Sequence, residues 1–219
     1  MSRRRTAVLI SGRGSNLAAL LGASRERSYP AEIALVIANE PAAAGLAHAA
    51  AAGVAGAVID HRPFGRDRAA HEGAMIAALG AAGIELVCLA GYMRRLSPRM
   101  VAHFAGRMLN IHPSLLPAFP GLNTHARALA AGVKLHGCTV HLVTEALDDG
   151  PIVAQAAVPV LPGDTAATLG ARVLAQEHLL YPLALALLAR GAPGMVAEGV
   201  AAAGTAALQN PLPLPGALP

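Results

Sequence analysis

Asn110 and His112 stand two residues apart in the run Asn-Ile-His-Pro-Ser-Leu-Leu-Pro at 110–117. In a strand the side-chain period is two, so an amide and an imidazole at that spacing point to one side. Pro113 and Pro117 fix the exit path and keep it from becoming a helix. An amide can hold a developing oxyanion and an imidazole can move a proton. Presented together at a strand end, they suggest chemistry at a carbonyl group. Asp148 and Asp149 lie in a short turn, where aspartate is common for local hydrogen bonding. If that turn folds over the strand end, one carboxylate can orient His112. His112, His136 and His141 with Asp148 can also be drawn as a metal set. No His-x-x-x-His or HExxH spacing supports it, and no metal is expected.

A second candidate lies at Gly12-Arg13-Gly14-Ser15-Asn16, between an apolar run and a helical pattern. Glycines let backbone approach a phosphate, and a helix N-terminus offers free N–H groups and a favourable dipole. Ser15 or Asn16 can instead cap that helix, and both roles can hold at once. A dinucleotide fingerprint would want a third glycine where Leu17 stands. No well-placed acidic residue ends the second strand, Asn39-Glu40 being the nearest. The pattern favours a single phosphate. Glu177-His178 sits inside an apolar helical stretch, where it can pack, cap or bind ribose hydroxyls.

These groups need a frame. Residues 6–10, 32–38, 54–60 and 84–90 read as buried strands, and 108–111 as a short one. Helical patterns fill 17–25, 42–52 and 67–79, and resume at Pro98, a residue favoured in a first helical turn. The alternation implies an α/β fold, Rossmann-like, with a mostly parallel sheet flanked by helices. After Gly121 the pattern changes. Residues 138–143 alternate, 152–160 are extended, and 147–151 connect them tightly, which predicts an antiparallel C-terminal strand pair. A long C-terminal helix starts at 164–168 and runs to about Arg190, with Pro182 as a break point. One domain is expected over 1–190, with a Gly-, Ala- and Pro-rich extension at 191–219 that is mobile at its end.

Composition excludes several classes. At 219 residues the chain can bury one sizeable core, and with 54% hydrophobic but 3% aromatic residues that core is aliphatic. Apolar runs break well before the roughly 20 residues a membrane span requires. The basic start feeds directly into a strand, unlike a secretory signal. Cys88 and Cys138 form no CxxC pair and read as reduced cytoplasmic thiols. A net charge of +4 with no dense Lys/Arg run after residue 5 suits an anionic small molecule better than nucleic acid. Neither a nucleic-acid nor a membrane partner is expected, and monomer and homodimer stay open.

Together these pieces resemble the phosphoribosylglycinamide formyltransferase family of the folate-dependent formyltransferase superfamily, enzymes of purine biosynthesis. The likeness runs from about Ala7 to Pro182. It rests on SGRGSN at 11–16, LAGYMRRLSP at 89–98 and LNIHPSLLPAFPGLNTH at 109–125, then HGCTVHLVTEALDDGPI at 136–152 and QEHLLYP at 176–182. The resemblance implies 10-formyltetrahydrofolate as co-substrate, 5-phosphoribosylglycinamide as acceptor, and direct attack through a tetrahedral intermediate. It implies Asn110, His112 and Asp148 as the catalytic trio. Gly14, Ser15 and Asn16 would hold the ribonucleotide phosphate, with Gln176 and Glu177 near the ribose. Folate would lie along Met93, Arg94, Arg95 and Leu96, and along Thr144, Glu145, Ala146, Leu147 and Asp148, with Asn110 at its reacting end. For the folate glutamate tail the straight count lands on Asp67, with Arg66 and Arg68 on either side, and Arg68 is taken as the candidate. The chain departs from the family pattern in Asp149, in Leu174 where some relatives are polar, and in Arg95 where a hydrophobic residue is frequent. The alternatives are a 10-formyltetrahydrofolate hydrolase and a non-catalytic nucleotide-binding module.

Overall fold

From Thr6 to Ile10 no side chain reaches solvent, and this explains where the strand must lie. A run buried on both faces belongs at the centre of a parallel sheet covered by helices on each side. The computed structural model describes residues 2–191, and the mobility expected of the extension beyond them lies outside the described residues. Seven strands form one sheet: β1 (Arg4–Ile10), β2 (Ala31–Ala38), β3 (Ala55–Val58), β4 (Leu86–Leu89), β5 (Met108–His112), β6 (Leu135–Leu142) and β7 (Ile152–Pro159). Their order is β3-β2-β1-β4-β5-β6-β7. The first five are parallel, and β6 pairs antiparallel with both β5 and β7.

Alternation along β1 splits the core in two. Val8 and Ile10 pack against α1 (Ser15–Ser24), α2 (Gly45–Ala51) and α6 (Ala166–Ala189). Ala7 and Leu9 pack on the opposite face against Met75 and Leu79 of α3 (Arg68–Ala81), and Met100 of α4 (Pro98–His103) joins them. Tyr181, fully buried, donates from its hydroxyl to the carbonyls of Leu89 and Leu109 at 2.9 and 3.2 Å. It ties α6 to the two strands that carry the site.

Three expectations shift and one helix is added, each for a local reason. The second helix starts at Gly45 rather than 42, because residues 41–44 form a turn and the Gly45 N–H donates to the Gly12 carbonyl at 3.0 Å. The third strand has four residues only, since Asp60 turns to accept from the Arg62 N–H at 3.0 Å and a 3₁₀ turn follows. Helix α5 (Thr124–Ala130) has too few residues to show a period, and it starts from Asn123 in the left-handed region at φ 56°. Pro182 does not break α6. Its missing N–H leaves the helix one bond short. The Tyr29 hydroxyl, donating to the Pro182 carbonyl at 2.6 Å, and the anchored Tyr181 hold the helix together across it.

Candidate active site

The loop after β1 closes against α2 backbone to backbone. Gly14 has φ 74°, and a Cβ there would lie 2.7 Å from the Gly45 Cα. A Cβ on Gly45 would lie 2.6 Å from Ile10 Cδ1. Gly45 is thus part of the loop's construction although sequence reasoning did not select it. A glycine heading an alanine-rich helical run was the available sign. Neither Ser15 nor Asn16 caps α1 with its side chain. Asn16 instead donates from Nδ2 to Glu177 Oε2 at 2.6 Å, joining the loop to α6.

Between them lies a cavity of about 700 Å³ lined by Gly14, Ser15, Asn16, His125, Leu174 and Glu177 among others. The opening N–H groups of a helix have no intrahelical partner, so α1 presents donors to this space. Leu174 lines it with an apolar side chain. Gln176 does not line it, because the side chains of adjacent helical residues diverge by about 100° and the cavity face is that of Gly170, Leu174 and Glu177.

Asn110 and His112 leave β5 on the same side, as the period of two predicts. Asp148 reaches them from the turn between β6 and β7. Its Oδ2 lies 3.5 Å from His112 Nδ1, and both side chains are only 8% exposed. The same oxygen accepts from the Gly121 N–H at 2.8 Å. Its Oδ1 lies 3.9 Å from His141 Nε2. Asp148 adopts φ 52°, a left-handed conformation that Asp and Asn tolerate better than most residues. His112 Nε2 lies 3.1 Å from the Phe119 carbonyl. A carbonyl and a carboxylate both only accept, so each ring nitrogen of His112 faces an acceptor. Asp149 is exposed, so that departure places a carboxylate in solvent without disturbing the pair.

The histidines drawn as a metal set divide. His136 lies 3.1 Å from His125 through their ring nitrogens, while His112 and His141 share Asp148. Burial first, then the neighbouring His125, pushes His136 down to about 4, so it is neutral at physiological pH. Among the described residues no three His, Cys, Asp or Glu side chains converge as metal ligands.

A second cavity, of about 440 Å³, lies between Val101 and Ala102 of α4 and residues 142–145. Thr144 and Glu145 line it, whereas Ala146 and Leu147 are exposed in the turn. Met93, 68% exposed, lines the first cavity, and its N–H donates to Ser11 Oγ at 2.9 Å. Leu96 packs on the core, Arg94 is half-buried and Arg95 is exposed. The buried carboxylate of Glu72 fixes the end of this loop, accepting from the Ser97 N–H at 2.8 Å and from the Ser97 hydroxyl. Arg66 and Arg68 are exposed and line neither cavity. Asp67 between them caps α3, accepting from the Ala70 N–H at 2.9 Å.

Burial pushes the Glu177 carboxyl up from its ordinary range, opposed by the Asn16 hydrogen bond and by His112. A raised folded-state pKa means the folded chain holds this proton more tightly than the unfolded one. The associated stability is full below the unfolded value of about 4.3 and is lost as pH rises through the raised value. Glu177→Gln therefore raises the melting temperature at pH 7, and the gain vanishes near pH 4. Calorimetry at the two pH values reads this effect, and equal melting temperatures at pH 7 would contradict it.

A doubly wound sheet with a glycine loop and cavity at a helix N-terminus, and an amide, an imidazole and a carboxylate gathered at the end of β5, has the features of a group-transfer enzyme acting at a carbonyl. The family described as formyl transferase matches residues 4–185, and the chain belongs to that family. It is 45% identical over 184 residues to the phosphoribosylglycinamide formyltransferase of Escherichia coli (strain K12), covering 84% of this chain and 86% of that protein. It is 50% identical over 90% of its length to the trifunctional purine biosynthetic protein adenosine-3 of Drosophila pseudoobscura pseudoobscura, of which it spans 14%. The crystal structure of phosphoribosylglycinamide formyltransferase from Brucella melitensis superposes with a TM-score of 0.83 at 57% identity, covering 87% of this chain and 98% of that one. A formyltetrahydrofolate deformylase from Pseudomonas syringae pv. tomato shares the fold with a TM-score of 0.80 at 27% identity, covering 87% of this chain and 62% of that one.

Proposed function

We propose that this chain transfers the formyl group of 10-formyltetrahydrofolate to the amine of 5-phosphoribosylglycinamide, giving the N-formyl product and tetrahydrofolate in de novo purine synthesis. The observation that carries the reading is the His112–Asp148 pair, 3.5 Å apart, with Asn110 beside it. In this reading Gly14, Ser15 and Asn16 hold the ribonucleotide phosphate and Glu177 faces the ribose. The groove along Thr144 and Glu145 takes the pterin, largely through backbone groups. Arg66 or Arg68 meets the glutamate tail at the surface. Two free, buried cysteines fit a cytoplasmic location.

The acceptor amine attacks the formyl carbon, forming the new C–N bond and a tetrahedral oxyanion. The Asn110 amide and protonated His112 donate to that oxyanion. In the complex the oxyanion replaces the Phe119 carbonyl as the acceptor for His112 Nε2. Collapse breaks the bond to N10, one proton leaves the amine and one reaches N10. His112, held by Asp148, or a water ordered by them relays it. Holding both substrates side by side supplies much of the acceleration.

The test mixes protein and 10-formyltetrahydrofolate with and without the ribonucleotide and follows deformylated folate. Release that requires the ribonucleotide is expected. Acceptor-independent release would assign a hydrolase, and no release in either arm would assign a binding module.

A further inference from the structure

We propose that His141 is a positioning residue that fixes the orientation of the Asn110 amide through a hydrogen bond across β5 and β6. This deepens the formyl-transfer reading and rests on it. Asn110 and His141 face each other directly in the antiparallel register. Side chains of such a pair lie on the same face of the sheet and within reach of one another. Asn110 Nδ2 lies 3.1 Å from His141 Nε2. On its other edge β6 carries a bulge, with Val140 opposite Ala154 and His141 opposite Ile152. A bulge at that step re-aims the side chain beside it.

The hydrogen-bond roles follow from one group that can only accept. His141 Nδ1 lies 2.9 Å from the Leu142 carbonyl, so Nδ1 carries the proton. Burial first lowers the affinity of this ring for a second proton, and His112 adds to the effect; the Leu142 carbonyl and Asp148 act the other way. The neutral ring then has a lone pair on Nε2, and only the NH₂ side of the Asn110 amide can meet it. That leaves one amide hydrogen and Oδ1 of Asn110 with no partner among the described residues. The free hydrogen serves the oxyanion, and Oδ1 accepts from the attacking amine. Without His141 the amide can rotate and present these groups in either order, which misplaces the donor.

The experiment measures kcat and both KM values for His141→Leu and His141→Gln, alone and combined with Asn110→Ala. His141→Leu lowers kcat about 10-fold or more with KM values within about 3-fold, the pattern of an interaction used only in the transition state. Gln sets an acceptor near the position of Nε2 and recovers most of that loss. In the Asn110→Ala background His141→Leu costs little more, because the residue through which it acts is gone. An equal loss in both backgrounds, or no loss from His141→Leu, would overturn the proposal. If His141→Leu fails to fold, His141→Gln in the two backgrounds decides, since any cost it carries must vanish with Asn110. Absence of ribonucleotide-dependent transfer by the unaltered chain is a different result and strikes the formyl-transfer reading itself.

Discussion

Asp148→Asn lowers kcat by about 10²–10⁴-fold, the range for losing a positioned acid–base partner, and leaves the KM for the ribonucleotide nearly unchanged. The substitution isolates the charge. Asparagine has the same size, tolerates the left-handed backbone that Asp148 adopts at φ 52°, and can still accept from the Gly121 N–H. What it cannot do is stabilise a positive His112 at 3.5 Å. The cavity proposed for the phosphate is lined by other residues, so ribonucleotide affinity has no reason to fall. Steady-state kinetics with a thermal melt as control measure this. Turnover within a few-fold of the unaltered chain would remove Asp148 from the mechanism.

Gly150→Ala has the second-largest expected effect, and its origin is steric. A Cβ at this position would lie 1.8 Å from the Leu142 carbonyl oxygen and 2.9 Å from its carbon. Both are backbone atoms and cannot swing aside. Nor can the segments simply part, because the Leu142 N–H donates to the Pro151 carbonyl at 2.9 Å. Overpacking of this kind costs about 1–3 kcal/mol of stability. The loss of turnover is larger, on the order of 10²-fold, because Asp148 sits two residues earlier in the same turn and a shift of about 1 Å removes it from His112. Urea unfolding and kcat together separate the two effects. A destabilised variant with full turnover would mean that the turn absorbs the methyl without moving Asp148.

The parts readable from sequence are those governed by local periodicity. Residues 7–10 are apolar without interruption, the pattern of a central strand buried on both faces. Asn110 and His112 could be placed on one side because the strand period is a property of any strand. Asp148 reaches His112 only through the fold, since the 147–151 turn gives no sign of where it points. The Asn110–His141 bond depends on antiparallel register and on a bulge one residue from His141, and neither has a mark in composition. The contact of Gly14 with Gly45 joins two elements that look unrelated along the chain. Gln176 and Arg68, taken over from the family likeness, lie off both cavities because one residue of helical rotation or one position in a capped turn decides the direction of a side chain. The seven residues of α5 are too few for a 3.6-residue period to stand out from its surroundings.

The Asn16–Glu177 bond joins residues 161 positions apart, and this separates two moments in the life of the molecule. During synthesis at about 5–20 residues per second, the glycine loop emerges early and then waits on the order of ten seconds or more for the carboxylate opposite it. A nascent chain carries the loop with one wall of the cavity missing. A ligand of the proposed site therefore meets a complete pocket only once nearly the whole domain has been made. Chains released early keep the loop but not the pocket.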